Sequence, residues 1–101
     1  MKNFRTYQYA KVLYKKSKTV KLKYYIKDQL LRASSSVCLN LVEGSARNGT
    51  KDRLRFFNIA FASLREVQSI IDIENIEQLE RDADVVAAHI YKLVHYDTDN
   101  S

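Results

Sequence analysis

Leu22-Lys23-Tyr24-Tyr25-Ile26-Lys27-Asp28-Gln29-Leu30-Leu31-Arg32-Ala33-Ser34-Ser35-Ser36-Val37-Cys38-Leu39-Asn40-Leu41-Val42-Glu43-Gly44 contains no helix breaker before its last residue. Along it Leu22, Ile26, Gln29, Leu30, Ala33, Ser36, Val37, Asn40 and Leu41 return at steps of three and four, the spacing of one helical face. The spacing predicts a helix from Leu22 to Glu43, with Gly44 as a left-handed cap and Arg47 beyond it near the negative end of the dipole. A second apolar strip of Leu31, Cys38, Leu39 and Val42 lies opposite the main one in the C-terminal half. The serines at 34, 35 and 36 are small enough for another helix to approach closely.

The same period governs the flanking segments. Upstream, Phe4, Tyr7, Ala10, Leu13, Tyr14 and Ser17 predict a helix over about Asn3 to Lys18, ending at the β-branched Thr19-Val20. Downstream, Asn48-Gly49-Thr50 is a turn and cap before a helix over about Lys51 to Ile73. The apolar positions of that third segment cover about 200° of the wheel, where a surface helix needs a stripe little over 100° wide. It is either central to the fold or meets another chain with its second side. Asn75-Ile76-Glu77-Gln78 has the form of a capping box and opens a fourth helix to about His95. Four amphipathic helices with short links form an all-α, antiparallel up-down four-helix bundle over residues 1–96, followed by a polar tail over 97–101.

Composition agrees. Two glycines and no proline in 101 residues exclude loop-rich and Pro-rich disordered chains and speak against an all-β domain. One cysteine excludes a disulfide framework. The sequence shows neither a membrane span nor a signal-peptide core, so a cytoplasmic location is expected. The net charge of +5 conceals a polarity. Residues 1–65 hold 15 Lys/Arg and 3 Asp/Glu, a balance of +12, whereas residues 66–101 hold 2 and 9, a balance of −7. Lys11, Lys15, Lys16, Lys18, Lys21, Lys23 and Lys27 crowd into seventeen positions with Tyr14, Tyr24 and Tyr25 among them, and Asp28 is the one acid in the first 42 residues. Phosphate backbones are held by such cations on a rigid face. These seven lysines, with Arg47 and Arg53, are the candidate nucleic-acid contacts. The alternative is an adaptor whose basic face docks an acidic protein surface, including the acidic fourth helix of another copy.

Motifs for chemistry fail on their physics. Gly44 to Lys51 imitates a phosphate-binding loop, but the Lys and Thr stand in reversed order and a helix precedes them. Asp97-Thr98-Asp99 lacks the glycine and glutamate that complete a calcium loop. His89 and His95 are six apart, on different helix sides, and Cys38 lies on an apolar strip with no base to activate it. No catalytic set, metal site, cofactor or small-molecule substrate is expected. Gln29 and Asn40, inside the main stripe, are read as bonding across the bundle to fix register rather than as a ligand site.

The run Gln29-Leu-Leu-Arg32-Ala33-Ser-Ser-Ser36-Val37-Cys38-Leu-Asn40-Leu-Val-Glu43-Gly44-Ser-Ala-Arg47 resembles the pattern Q-x-x-R-A-x-x-S-I-P-x-N-I-A-E-G-x-x-R. Asp52-Arg-Leu-Arg-Phe56-Phe57-Asn-Ile59-Ala60-Phe-Ala-Ser63-Leu64-Arg-Glu66 resembles its usual sequel, D-F-x-R-F-L-x-I-A-x-G-S-L-x-E. Together they resemble a bacterial four-helix bundle family that includes proteins encoded by intervening sequences in 23S ribosomal RNA genes and the accessory variability protein of diversity-generating retroelements. The resemblance implies an up-down bundle assembled as a homopentameric ring. For the retroelement branch it also implies a basic surface that binds nucleic acid, RNA or DNA, and a reverse transcriptase. Cys38 replaces the usual proline, Ala62 a glycine, and Lys23 stands where an acid is common. The second apolar strip and the wide third segment give the expected subunit interface: Leu31, Cys38, Leu39, Val42, Phe56, Ile59, Ser63 and Val67.

Overall fold

The structure, a computed structural model, describes residues 4–95; the tail expected over 97–101, and the Asp97-Thr98-Asp99 motif within it, lie outside the described residues. Four helices form: α1 (Arg5–Ser17), α2 (Tyr24–Ser45), α3 (Thr50–Glu74) and α4 (Glu77–His95). The links between them are too short to do anything but reverse the chain, and the last is only Asn75 and Ile76. Each helix packs on two neighbours, in the cycle α1–α2–α3–α4–α1, as an up-down bundle requires. The molecule measures 43 × 21 × 18 Å, its long axis set by α3, whose 25 residues span about 37 Å at 1.5 Å each.

Every helix contributes its stripe to one core: Ala10 and Leu13 of α1, Leu30, Val37 and Leu41 of α2, Phe57, Leu64 and Val67 of α3, Leu79, Val86 and Ile90 of α4. Val20, in the first link, and Ile76, in the last, close the same end of the core. No buried side-chain nitrogen or oxygen among the described residues lacks a partner. Ser17 Oγ donates to the Leu13 carbonyl at 2.8 Å, and the Ser36 and Ser63 hydroxyls meet at 2.8 Å across the α2–α3 seam.

The local signals act somewhat differently from their sequence reading. Gly44 is not a left-handed cap, because no glycine has positive φ and α2 runs on to Ser45. Its role is close approach: a Cβ built there would lie 2.5 and 2.7 Å from Phe57 ring carbons and 3.2 Å from the Arg53 carbonyl oxygen. Asn75 does not open α4. It ends α3 in the left-handed region (φ 55°, ψ 49°). Ile76 N–H donates to the Ile71 carbonyl at 2.9 Å and Asn75 N–H to that of Asp72 at 3.4 Å, the paired bonds of a Schellman stop. Ile71 and Ile76 are both buried, which supplies the apolar contact such a stop carries. Gln29 is exposed rather than core-facing, since it sits at the margin of its stripe where the flexible amide turns to water. Asn40 is half-buried, and its amide donates within α2, to the Ser36 carbonyl (2.8 Å) and hydroxyl (3.2 Å). Register across the bundle passes through Ser36 to Ser63 instead.

Candidate nucleic-acid interface

Up-down topology collects the C-terminus of α1, the first link and the N-terminus of α2 at one end of the bundle. Lys15, Lys16, Lys18, Lys21, Lys23 and Lys27 therefore share that end, with Lys11 a turn further along α1. Lys15, Lys16, Lys18, Lys21 and Lys23 are exposed, and Lys11 and Lys27 half-buried. Lys16 alone of the seven makes an ion pair among the described residues, its Nζ 3.0 Å from Asp82 Oδ2 of α4. Lys11 and Lys18 lie over the rings of Tyr7 and Tyr14, 5.5 and 4.7 Å from their centroids. Lys11, Lys15, Tyr7 and Tyr14 form one wall of a groove whose other wall is Ser35, Cys38 and Leu39 of α2. A second groove, on α2 itself, is lined by Tyr24, Tyr25, Lys27, Asp28 and Leu31. Asp28 in it is paired with Arg32 at 3.1 Å, one turn on. The first turn of α2 holds no acid and its start no side-chain cap, so the positive end of its dipole adds to the lysines around it.

The same end also carries the turn between α3 and α4, with Asp72, Glu74, Glu77 and Glu80. It is divided: basic on the α1–α2 half, acidic on the α3–α4 half, and joined at the α1–α4 seam by Lys16 and Asp82. Arg47 and Arg53 belong to the opposite end, where α2 stops and α3 begins. The 22 residues of α2 put about 33 Å between the two groups. Arg47 Nη2 pairs with Glu43 Oε2 at 3.0 Å, and its guanidinium lies 4.8 Å from the Phe56 ring centroid. Arg55 covers the same ring at 5.1 Å, and Arg53 lies 5.9 Å from that of Phe57. This arginine end was half seen in the sequence. Arg55 was missed, although its place beside Phe56 and two positions after Arg53 is the signal that would have found it.

The expected subunit interface separates into different environments. Val67 is fully buried in the bundle's own core and is not a surface residue; it shares one face of α3 with the buried Phe57, Ala60, Leu64 and Ile71. Ser63 is held by Ser36, and Phe56 is half-covered by two arginines. Leu31, Cys38 and Val42 are half-buried, while Leu39 and Ile59 stand 64% and 41% exposed.

The groups weighed for chemistry are placed as follows. Burial pushes the Cys38 thiol up to about 11, which keeps it protonated and poorly nucleophilic at neutral pH. His89 stacks on Tyr9 at 4.7 Å between ring centroids and His95 on Tyr91 at 3.9 Å, in two separate contacts. Burial lowers the His89 pKa, with Lys92 and Arg5 adding to the effect. Among the described residues no three His, Cys, Asp or Glu side chains gather as a metal site, and no helix is long and apolar enough to cross a membrane.

Comparison with known proteins found no match among curated proteins or solved structures. The 23S rRNA-intervening sequence protein family matches over residues 4–89, from the residue before α1 to within the last two turns of α4. The match covers both quoted motifs, the whole of α1 to α3 and most of α4, and the chain belongs to the 23S rRNA-intervening sequence protein family.

Proposed function

We propose that this protein is a non-enzymatic, oligomeric nucleic-acid-binding protein that uses the basic α1–α2 end of its bundle. The observation that carries the reading is the gathering of Lys11, Lys15, Lys18, Lys21, Lys23 and Lys27 there without an ion pair among the described residues. Lysines solvated for their own sake are normally interspersed with acids; here Lys11, Lys15 and Lys27 stand on two rigid helices and Lys18, Lys21 and Lys23 on the short link that joins them, cations gathered as phosphate contacts need. The family's description, which names an intervening sequence of 23S rRNA, fits a polyanion in the protein's setting. Aid to a reverse transcriptase, implied for the retroelement branch, would use this same face.

Fluorescence anisotropy against structured RNA and duplex DNA tests it. Affinity falls linearly in log–log salt dependence, and changing Lys18, Lys21 and Lys23 together to Glu abolishes binding with the helical signal kept. Binding no tighter than to a neutral helical control at about 50 mM salt overturns the reading. The divided end favours one second reading, an adaptor in which the basic half of one copy docks the acidic half of another. Nucleic acid then fails to bind, and the assembly falls apart as salt is raised.

A further inference from the structure

Tyr24 is the most exposed large apolar side chain among the described residues, at 86%, and its neighbour Tyr25 is 56% exposed. A pair of aromatic rings offered to water at a helix start is costly surface with no packing role: neither belongs to the core or packs against it. The two rings are held edge to face, 5.8 Å apart and at 90°, so the pair is ordered by its own contact. Lys23 precedes them, Lys21 stands two positions before that, and Lys27 lines the same groove as both rings. The nearby acid, Asp28, is engaged by Arg32. Ile26 and Gln29 line a different groove with Glu66 and Glu74 of α3, so those acids lie on the other flank of α2 from Lys27 and Leu31.

We infer that Tyr24 and Tyr25 form a stacking platform for unpaired bases of an RNA loop or bulge, with Lys21, Lys23 and Lys27 on the adjoining phosphates. Two physical requirements select this occupant. A flat, exposed ring needs a flat apolar partner, and a base in a duplex presents no free face to it. The ammonium groups around the rings need a chain with a charge at every nucleotide, which an apolar protein surface does not supply. RNA loops join the two features, splayed bases and a phosphate backbone, and are where single-stranded recognition by aromatic side chains occurs. The inference rests on the nucleic-acid reading above and gives it a preferred substrate, unpaired over paired RNA.

The test uses the full chain and an RNA hairpin with an open loop carrying 2-aminopurine, beside the same stem closed as a perfect duplex and a single-stranded DNA of the loop sequence. Wild-type protein is expected to bind the loop hairpin more tightly than the duplex and to quench 2-aminopurine on stacking. Tyr24→Ala is expected to lose about five- to a hundredfold in loop affinity together with the quenching, and Tyr24→Phe to keep both. Such an exposed ring can be removed without unfolding, and an unchanged circular dichroism spectrum verifies it. Equal binding of loop and duplex by wild type, with Tyr24→Ala unchanged, overturns the platform and leaves the basic end as a general polyanion site. Binding of none of the three nucleic acids overturns both readings. Single-stranded DNA bound as well as the loop hairpin overturns the assignment to RNA, and loss of self-association in Tyr24→Ala with loop affinity intact makes the rings a subunit contact instead.

Discussion

Gly44 shows how a single hydrogen can hold two helices together. The missing side chain lets the α2 backbone lie against Phe57, the largest fully buried side chain, and the Arg53 carbonyl blocks the remaining direction. Gly44→Ala gains helix propensity of about 1 kcal/mol. It also drives a methyl to 2.5 Å from a ring that is 1% exposed and has nowhere to go, and overpacking of this kind costs about 1–3 kcal/mol. The steric term wins because both contacts are rigid. Thermal unfolding of Gly44→Ala is therefore expected to come several degrees below wild type, at about 4–8 °C per kcal/mol for a domain of this size. An unchanged or raised midpoint contradicts the packing role. The sequence marks Gly44 as special but not why, since a cap and a close contact call for the same residue and differ only in φ and in what lies opposite. Gln29 and Asn40 were ambiguous in the same way: a polar residue at a stripe's edge turns to water or to its own helix according to a neighbour that spacing does not name.

Element by element, the helices were legible because their apolar period is sustained over several turns, and the fold class and helix order followed from that. Their ends were less so. Asn75 sits where one helix stops and the next starts two residues later, and asparagine favours both a helix N-cap and the left-handed stop of a preceding helix. The structure resolves the choice through backbone bonds from Asn75 and Ile76 that no side-chain pattern displays. This yields a prediction about sign. Asn75→Gly relieves the left-handed strain and loses no cap for α4, so it is expected to leave stability equal or raise it by up to about 1 kcal/mol. Asn75→Val brings a β-branched side chain to φ 55° and is expected to cost at least 1–2 kcal/mol, roughly the left-handed penalty. Urea denaturation separates the outcomes. A loss on Asn75→Gly as large as on Asn75→Val means that the asparagine side chain is needed as an N-cap after all.

At the scale of the whole molecule, charge and apolar surface follow different logics. The lysine-rich segment was legible as a cluster because charge runs survive folding: α1 and α2 are consecutive and antiparallel, so neighbours in sequence stay neighbours at one end. The arginines lie apart from them for the same reason, since the 22 residues of α2 carry Arg47 away from Lys23 to the far end. The apolar second side was read from wheels drawn one helix at a time, which do not show which part of a wide arc the bundle itself covers; Val67 falls on the covered face with Phe57, Ala60, Leu64 and Ile71, and so is core. Leu39, by contrast, lies on the surface. It is 64% exposed and lines the α2 wall of the groove opposite Tyr7, Lys11, Tyr14 and Lys15, so a second copy of the chain seated on it would cover Leu39 and Cys38 and meet the two lysines at its edge. The two residues therefore give opposite results for similar substitutions. Leu39→Lys changes only exposed surface in the protomer, so its stability should stay within about 0.5 kcal/mol of wild type. In an assembly the same change strands a charge in the contact, and light scattering is expected to move from a multiple of the chain mass to the single 11.8 kDa species, with circular dichroism unaltered. Val67→Asp instead places a carboxylate in the bundle's own core, so helical signal and assembly are lost together. If Leu39→Lys leaves the mass of the assembly unchanged, the subunit contact lies elsewhere on the surface. A wild-type protein already at 11.8 kDa removes the oligomer and leaves Leu39 as exposed apolar surface that no second copy covers.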